Sequence, residues 1–323
     1  MRIGSRLFIA SASVALAVVA AFAALPGHGA RAQAQFSGVR TAPPAADSTV
    51  LTLIGTQGGP GVTVDRAGES SLLAVRGKYY LIDAGIGASR RLAEAKVPLS
   101  SLSKIFITHH HNDHTAGLFG LMTLYSNPRG GLEIMGPPRT AEFVAGAVAL
   151  MRLNWEIRAE EGGLPVATME KMYTGRDVQP GLVYADDNVR VTAMENSHFQ
   201  FVAGSLASRN KSYAYRFQTP HKVVVFTGDT GPHPDLAKFA EGADILVSEM
   251  VAPSVVKAVP EAGRFHMEHE HLSPTQVGQL ARDAKVKMVV LSHVVGVTEA
   301  DLAEIRKWYS GEVVLGKDLQ AFD

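Results

Sequence analysis

Six consecutive residues, His109-His110-His111-Asn112-Asp113-His114, constrain this chain more than any other segment. They read H-x-H-x-D-H, follow the apolar run Ile105-Phe106-Ile107-Thr108, and precede Thr115-Ala116-Gly117. Zinc takes imidazole nitrogens and carboxylate oxygens readily, and catalytic zinc sites keep one position open for water. On extended backbone His109 and His111 point the same way, while Asp113 and His114 diverge. One segment can therefore feed two adjacent metals. A solvated histidine cluster has no need of such spacing. The segment predicts a metal site just after a strand.

The 323 residues suffice for a substantial core, as one large domain or two. Basic and acidic residues balance at 31 each, with no sign of the basic stripe of a nucleic-acid surface. There is no cysteine, which excludes disulfides and thiolate ligands and leaves His, Asp and Glu to bind metal. At the N-terminus Arg2 and Arg6 precede an Ala-rich apolar run, Leu7 to Leu25, then Pro26, Gly27, Gly29 and Ala30-Arg31-Ala32. This reads as a secretory signal over residues 1–32, cut before Gln33. The run is 19 residues long, so an uncleaved membrane anchor is the alternative. Cleavage removes three arginines and no acids, leaving 28 basic against 31 acidic residues in a periplasmic or secreted protein. Residues 33–48, rich in Ala, Pro, Gln and Ser, read as a flexible linker, and residues 49–323 as the folded domain.

From Thr49 onward apolar runs alternate with helical stretches, the pattern of an α/β protein. Val50–Ile54 is a strand, and Ser71–Val75 with Tyr79–Asp83 form a pair around Arg76-Gly77-Lys78. The loop Gly55–Gly61 lacks the lysine and spacing of a phosphate-binding P-loop and reads as a tight turn. Five apolar runs lead into a polar residue with metal or proton chemistry. Ile105–Thr108 leads into His109, Val189–Met194 into His198, Val223–Thr227 into Asp229, Ile245–Ser248 into Glu249, and Met288–Ser292 into His293. Active sites of α/β proteins gather outside the carboxyl ends of strands, so these groups are expected along one sheet edge.

These residues resemble the metallo-β-lactamase-fold hydrolases, whose signature is H-x-H-x-D-H followed by a distant His, an Asp and a last His. The resemblance runs from about Thr49 to the C-terminus. It implies an αββα sandwich, two mixed sheets packed face to face with helices outside. It also implies that His109, His111 and His198 hold a first zinc, that Asp113, His114 and His293 hold a second, and that Asp229 in Thr227-Gly228-Asp229-Thr230 bridges them. Within the superfamily the chain is most similar to the ribonuclease Z and secreted arylsulfatase-like branch. The stretches that carry this are Leu53–Thr56, Tyr80–Gly85, Tyr215–Phe217, His271-Leu272-Ser273 and Val314–Leu319. In that branch the residues matching Glu249 and His271 assist proton transfer to the leaving group.

Some positions depart from the pattern. Asn112 and His110 stand where the family often has a small and an apolar residue; His110 is read as a neighbour of the ligands or a solvent-facing group. Phe143–Arg176, with Trp155 and Gly162-Gly163, does not resemble the Gly/Pro-rich arm with which ribonuclease Z grips tRNA. His266 and His269 are read as a mobile loop rimming the site, and His221 and His233 as turn residues.

The resulting expectation is an exported hydrolase with two Zn2+ per chain, Mn2+ or Fe being alternatives in the same donors. A hydroxide shared by the metals would attack a phosphate or sulfate ester, with Asp113 orienting it and His271, supported by Glu249, protonating the leaving oxygen. A lactonase or β-lactamase acting at a carbonyl carbon is the runner-up. A di-iron oxidoreductase ranks lower, because such enzymes usually replace the second histidine of the motif with Glu and here it is His111; an inert metal-binding protein ranks with it. A small-molecule ester substrate, no nucleic acid, no stable membrane association after cleavage and a homodimer complete the reading.

Overall fold

The computed structural model describes residues 47–125 and 130–323. The expected signal over 1–32 and all but the last two residues of the 33–48 linker lie outside them.

Among the described residues fourteen strands form two seven-stranded sheets. The first contains β1 (Thr49–Gly55), β2 (Ser70–Val75), β3 (Lys78–Ile82), β4 (Leu102–Phe106), β5 (Leu132–Gly136), β6 (Tyr173–Asp177) and β14 (Ala321–Phe322). The second contains β7 (Gly181–Ala185), β8 (Arg190–Glu195), β9 (Tyr213–Gln218), β10 (Val223–Phe226), β11 (Ile245–Val251), β12 (Met288–Val295) and β13 (Glu312–Leu315). Both sheets are mixed. β14-β1-β2-β3 is antiparallel and continues parallel through β4-β5-β6. β7-β8-β9-β10 is antiparallel and continues parallel through β11-β12-β13. The hairpin β2–β3 turns at Arg76 and Gly77, whose φ values of 49° and 78° suit the right-handed twist of the strands they join.

Three apolar layers hold the sandwich. Between the sheets, Leu51, Leu73 and Phe106 meet Val191, Phe217, Val224 and Val290. Phe106 sits edge-on to Phe217 and Tyr215, with ring centroids 5.1 and 5.8 Å away. Outside the first sheet, α1 (Ala88–Glu94), α2 (Asn112–Leu124) and α3 (Thr140–Glu160) bury Leu92, Leu118, Leu121, Val144, Met151 and Trp155 against Leu81, Ile105 and Ile134. A short α4 (Val166–Glu170) follows α3. Outside the second sheet, α5 (Leu236–Phe239), α8 (Pro274–Asp283) and α9 (Glu299–Trp308) bury Leu236, Val277, Leu302 and Ile305. Helices α6 (Pro253–Ala258) and α7 (Glu261–His269) lie between β11 and α8 in the chain. This is the αββα sandwich that the sequence motifs imply. No helix among the described residues is long and apolar enough to cross a membrane.

The five strand-to-ligand runs do not share one sheet edge. β4 belongs to the first sheet, while β8, β10, β11 and β12 belong to the second. Glu249 and His293 also fall inside β11 and β12 rather than after them. The pairing of β11 with β12 passes from Ser248↔Leu291 to Met250↔Val294, so β12 carries one extra residue at Ser292–His293, opposite Glu249. Such a bulge re-aims a side chain from within a strand, and His293 takes a left-handed φ of 53° there.

The largely buried Asp318 carboxylate ties the segment before β14 to the loop after β1 and to α1. Asp318 accepts from the Thr56 amide (3.0 Å) and hydroxyl (2.8 Å) through Oδ1, and from the Ala67 amide (2.7 Å) and Arg91 Nε (2.9 Å) through Oδ2. Removing one member of such a buried set leaves the others unpaired. Asp318→Ala should lower the unfolding free energy by about 3 kcal/mol, read by urea denaturation; an unchanged midpoint would show the clamp to be dispensable.

Candidate metal centre

Beyond β4 the chain bends at Thr108 and reaches His111, the N-cap of α2, whose backbone is extended (φ −62°, ψ 150°). Asp113 and His114 therefore project from a helical first turn, not from a continued strand. Helix α2 is pressed close to the loop after β3: a Cβ on Gly117 would lie 2.0 Å from the Gly85 carbonyl, so only glycine fits. Across the interface, Gly228 (φ 57°) turns the chain after β10 and delivers Asp229.

Three of the ligand rings are held from behind. The Thr108 hydroxyl donates to Asp83 Oδ2 at 2.8 Å and lies 3.1 Å from His109 Nδ1. Asp83 Oδ2 accepts from His114 Nδ1 at 2.8 Å, and the Glu270 carbonyl accepts from His198 Nδ1 at 2.9 Å. With Nδ1 engaged, each of these rings turns Nε2 toward the centre. Asp83 and Glu270 were not singled out by the motif. The only sequence signal for Asp83 is an acid at the end of β3, and for Glu270 there is none, since its backbone carbonyl does the work.

Two donor clusters result. His109 Nε2 and His198 Nε2 each lie 3.1 Å from His111 Nδ1. Zn–N bonds of roughly 2.0–2.1 Å in a tetrahedron place ligand nitrogens roughly 3.3 Å apart, so this spacing suits a metal. In the second cluster His293 Nε2 is 3.0 Å and His114 Nε2 3.9 Å from Asp113 Oδ2. Asp229 faces both: Oδ2 lies 4.0 Å from His109 Nε2 and 3.9 Å from His198 Nε2, while Oδ1 lies 3.4 Å from His114 Nε2 and 3.3 Å from His293 Nδ1. His114 Nε2 and Asp229 Oδ1 are buried and neither has a hydrogen-bond partner. Buried polar atoms rarely go unpaired, and a cation between the two would satisfy both.

Electrostatics divide the clusters. Burial holds His109 well below its ordinary pKa, lowers His111, and brings His198 down to about 3, so these rings are neutral lone-pair donors. Burial also pulls on His114 and His293, but Asp229, helped by Asp83 and Asp113, outweighs it and raises both. Burial would raise the carboxyls of Asp113 and Asp229; the facing histidines overcome it, taking Asp113 to about 2 and Asp229 well below its usual value.

Beside the donors stands a histidine–carboxylate pair. His271 Nδ1 donates to Glu249 Oε2 at 3.1 Å, and Glu249 Oε1 accepts from the Leu272 amide at 2.8 Å. Burial disfavours charge on His271, yet Glu249 prevails and lifts it to about 9. The cavity over the centre has a volume of about 380 Å3 and is lined by His111, Asp113, Asp229, Glu249, His271 and His293, with residues from the loop after β1, from β11 and β12, and from α6 and α7.

The remaining histidines separate from the donors. His110 Nε2 donates to Thr140 Oγ1 at 3.0 Å, on the α3 side. His266 and His269 belong to α7 rather than to a loop; His266 lines the cavity and bonds Glu270, while His269 bonds the Phe265 carbonyl. His221 bonds Thr49 and Asp47, and His233 accepts from the Asp235 amide. The cavity wall includes Met250, Val251, Val255, His266 and Met267, and no residue of 143–180. Trp155 is buried against Tyr173, whereas Phe143 and Leu150 border a separate cavity of about 560 Å3.

Residues 78–294 match the β-lactamase superfamily domain. The chain belongs to that superfamily. It is a metal-dependent hydrolase similar to the ribonuclease Z branch. Ribonuclease Z of Mycobacterium avium (strain 104) is 29% identical over 283 residues, covering 83% of this chain and 96% of that protein. The metallo-β-lactamase fold protein YhfI of Bacillus subtilis superposes with a TM-score of 0.65 at 21% identity, over 86% of this chain and all of its own. The short form of human tRNase Z gives 0.58 at 22% identity, over 85% of this chain and 98% of its own.

His111→Ala should lose metal and activity together, read as metal content per chain beside turnover. Zinc uptake by the chelator-treated protein at pH 7 should release protons, because His114 and His293 hold them in the metal-free centre, and uptake should weaken as pH falls. Proton-neutral uptake in a pH-indicator titration would contradict the charge assignment.

Proposed function

We propose that this superfamily member is an exported hydrolase of phosphate or sulfate esters that holds two zinc ions, with Mn2+ or Fe as alternatives in the same donors. The observation that carries the reading is Asp229 set between two ligand clusters, with the His271–Glu249 pair alongside. His109, His111 and His198 would hold one ion, Asp113, His114 and His293 the other, and Asp229 both. Bound there, two divalent metals supply Lewis acidity and water activation at neutral pH.

The chain's own residues do the rest. Asp113 Oδ2, already at the second cluster, orients the attacking water. His271 carries a proton at neutral pH and gives it to the leaving oxygen from Nε2, because Nδ1 is engaged by Glu249. Glu249 fixes the ring and favours its charged form. Phosphoesters fit this arrangement, and the ribonuclease Z relatives, named for cutting RNA, support phosphoester chemistry in general. Their name also leans against excluding nucleic acid. The 1–32 signal, with export to the periplasm or beyond, rests on the sequence pattern, and a homodimer only on the resemblance to the branch.

A carbonyl-directed reading has one point in its favour: Asn112, which lines the cavity, carries an amide N–H group of the kind that donates to a carbonyl oxygen. Metal content of the purified protein, measured with turnover of bis-p-nitrophenyl phosphate, p-nitrophenyl sulfate and nitrocefin, decides. Two metals per chain and turnover of either of the first two is the expected result; turnover of nitrocefin alone would move the reaction to amide hydrolysis. His271→Ala should keep its metals and lose about 10²–10⁴-fold in kcat; loss of zinc instead would make His271 a ligand. N-terminal sequencing of the exported protein should begin at Gln33, and an intact N-terminus in the membrane fraction would identify an anchor.

A further inference from the structure

The cavity over the centre has two unlike halves. The ligands, Glu249 and His271 form one; Pro60, Met250, Val251, Val255, Met267 and Val295 form much of the other. These residues come from the loop after β1, from β11 and α6, from α7, and from the end of β12. Carboxylates and histidines supply all the charge on the lining, and among the described residues that line it there is no lysine or arginine. Lys257 on α6 and Arg264 on α7 belong to the helices that build the wall, but both are exposed and neither lines the cavity.

This is a poor path for a polyanion. Binding a run of phosphates takes a cation for each one neutralised, and single-stranded nucleic acid also needs aromatic faces open to its bases. Phe199 and Phe201 stack on each other at 4.8 Å, but Phe199 packs on His109, His111 and His198, and neither lines the cavity.

His271 and these aliphatic side chains line the same cavity. A leaving group whose oxygen takes the His271 proton therefore departs inside a cavity whose other half is aliphatic.

Resting on the ester-hydrolase reading above, we infer that the substrate is an ester whose leaving group is an uncharged, apolar alcohol or phenol, and that a polynucleotide is not turned over. In the phosphodiester case the oxygen of water bonds phosphorus and the bond from phosphorus to the leaving oxygen breaks. That oxygen takes a proton from His271, and the proton lost by water restores the balance. No oxidant or further reactant is needed. The apolar alcohol or phenol leaves as a neutral molecule.

Two methyl phosphodiesters test this, one of 4-butylphenol and one of 4-(2-carboxyethyl)phenol. Their leaving oxygens are similarly basic, but one tail is apolar and the other anionic. With the metal-loaded full chain, kcat/KM for the butyl compound should be about tenfold or more above that for the carboxylate. Val255→Lys and, separately, Met267→Lys should shrink or reverse the ratio while leaving metal content unchanged. Two positions guard against a variant that fails to fold. Equal rates, or faster cleavage of the carboxylate compound or of an unstructured oligoribonucleotide, would overturn the inference and leave ester hydrolysis standing. No metal-dependent turnover of any of the three, nor of p-nitrophenyl sulfate, would remove the ester-hydrolase reading itself, and this inference with it.

Discussion

A carboxylate with 2% of its surface exposed cannot stay ionised in a protein interior unless opposite charge surrounds it. Asp229 is that carboxylate, and the geometry of the site follows from it. Imidazoles from the loop after β4, from α2, from the loop after β8 and from the bulge in β12 all turn a nitrogen toward its two oxygens. The two sheets are thus joined twice, by apolar packing between their faces and by a polar knot at one end. Without a cation the knot is incomplete, since His114 Nε2 and Asp229 Oδ1 face each other without a hydrogen bond.

Chemistry and selection use different parts of the chain. Donor residues come from loops after strands, from the first turn of α2 and from the bulge in β12. The opposite wall comes from α6 and α7, two short helices inserted between β11 and α8. α7 is largely exposed and has no fully buried residue, so its sequence can change with little cost to the core. A superfamily built this way can keep one reactive centre and accept different molecules at it.

What the sequence showed about the site follows the distance over which information acts. The segment 109–114 was readable because its ligand types and spacing are local. Asp229 was readable because a glycine turn after a run of valines has a recognisable form. The positions of Glu249 and His293 inside their strands were not, because the bulge is defined by the register of β11 against β12, a pairing between residues some forty apart. The division of the strand ends between two sheets was lost for a similar reason: every run looks alike until its neighbours are known. His266 was misread as part of a loop because Gly263 and several polar residues weaken the helical pattern of α7, whose one apolar stripe is short.

The pairing of β14 with β1 has a consequence for how the protein comes into being. Leu51 lies opposite Phe322, so the first sheet gains its outer strand only when the last residues are available. Asp318, which fastens the β1 loop, arrives almost as late. The donor residues themselves are spread from His109 to His293. A growing chain on the ribosome can therefore display the histidine motif long before it can enclose a cation. Enclosure of a cation at these donors therefore waits on residues as distant as His293 and on the closure of the first sheet by β14.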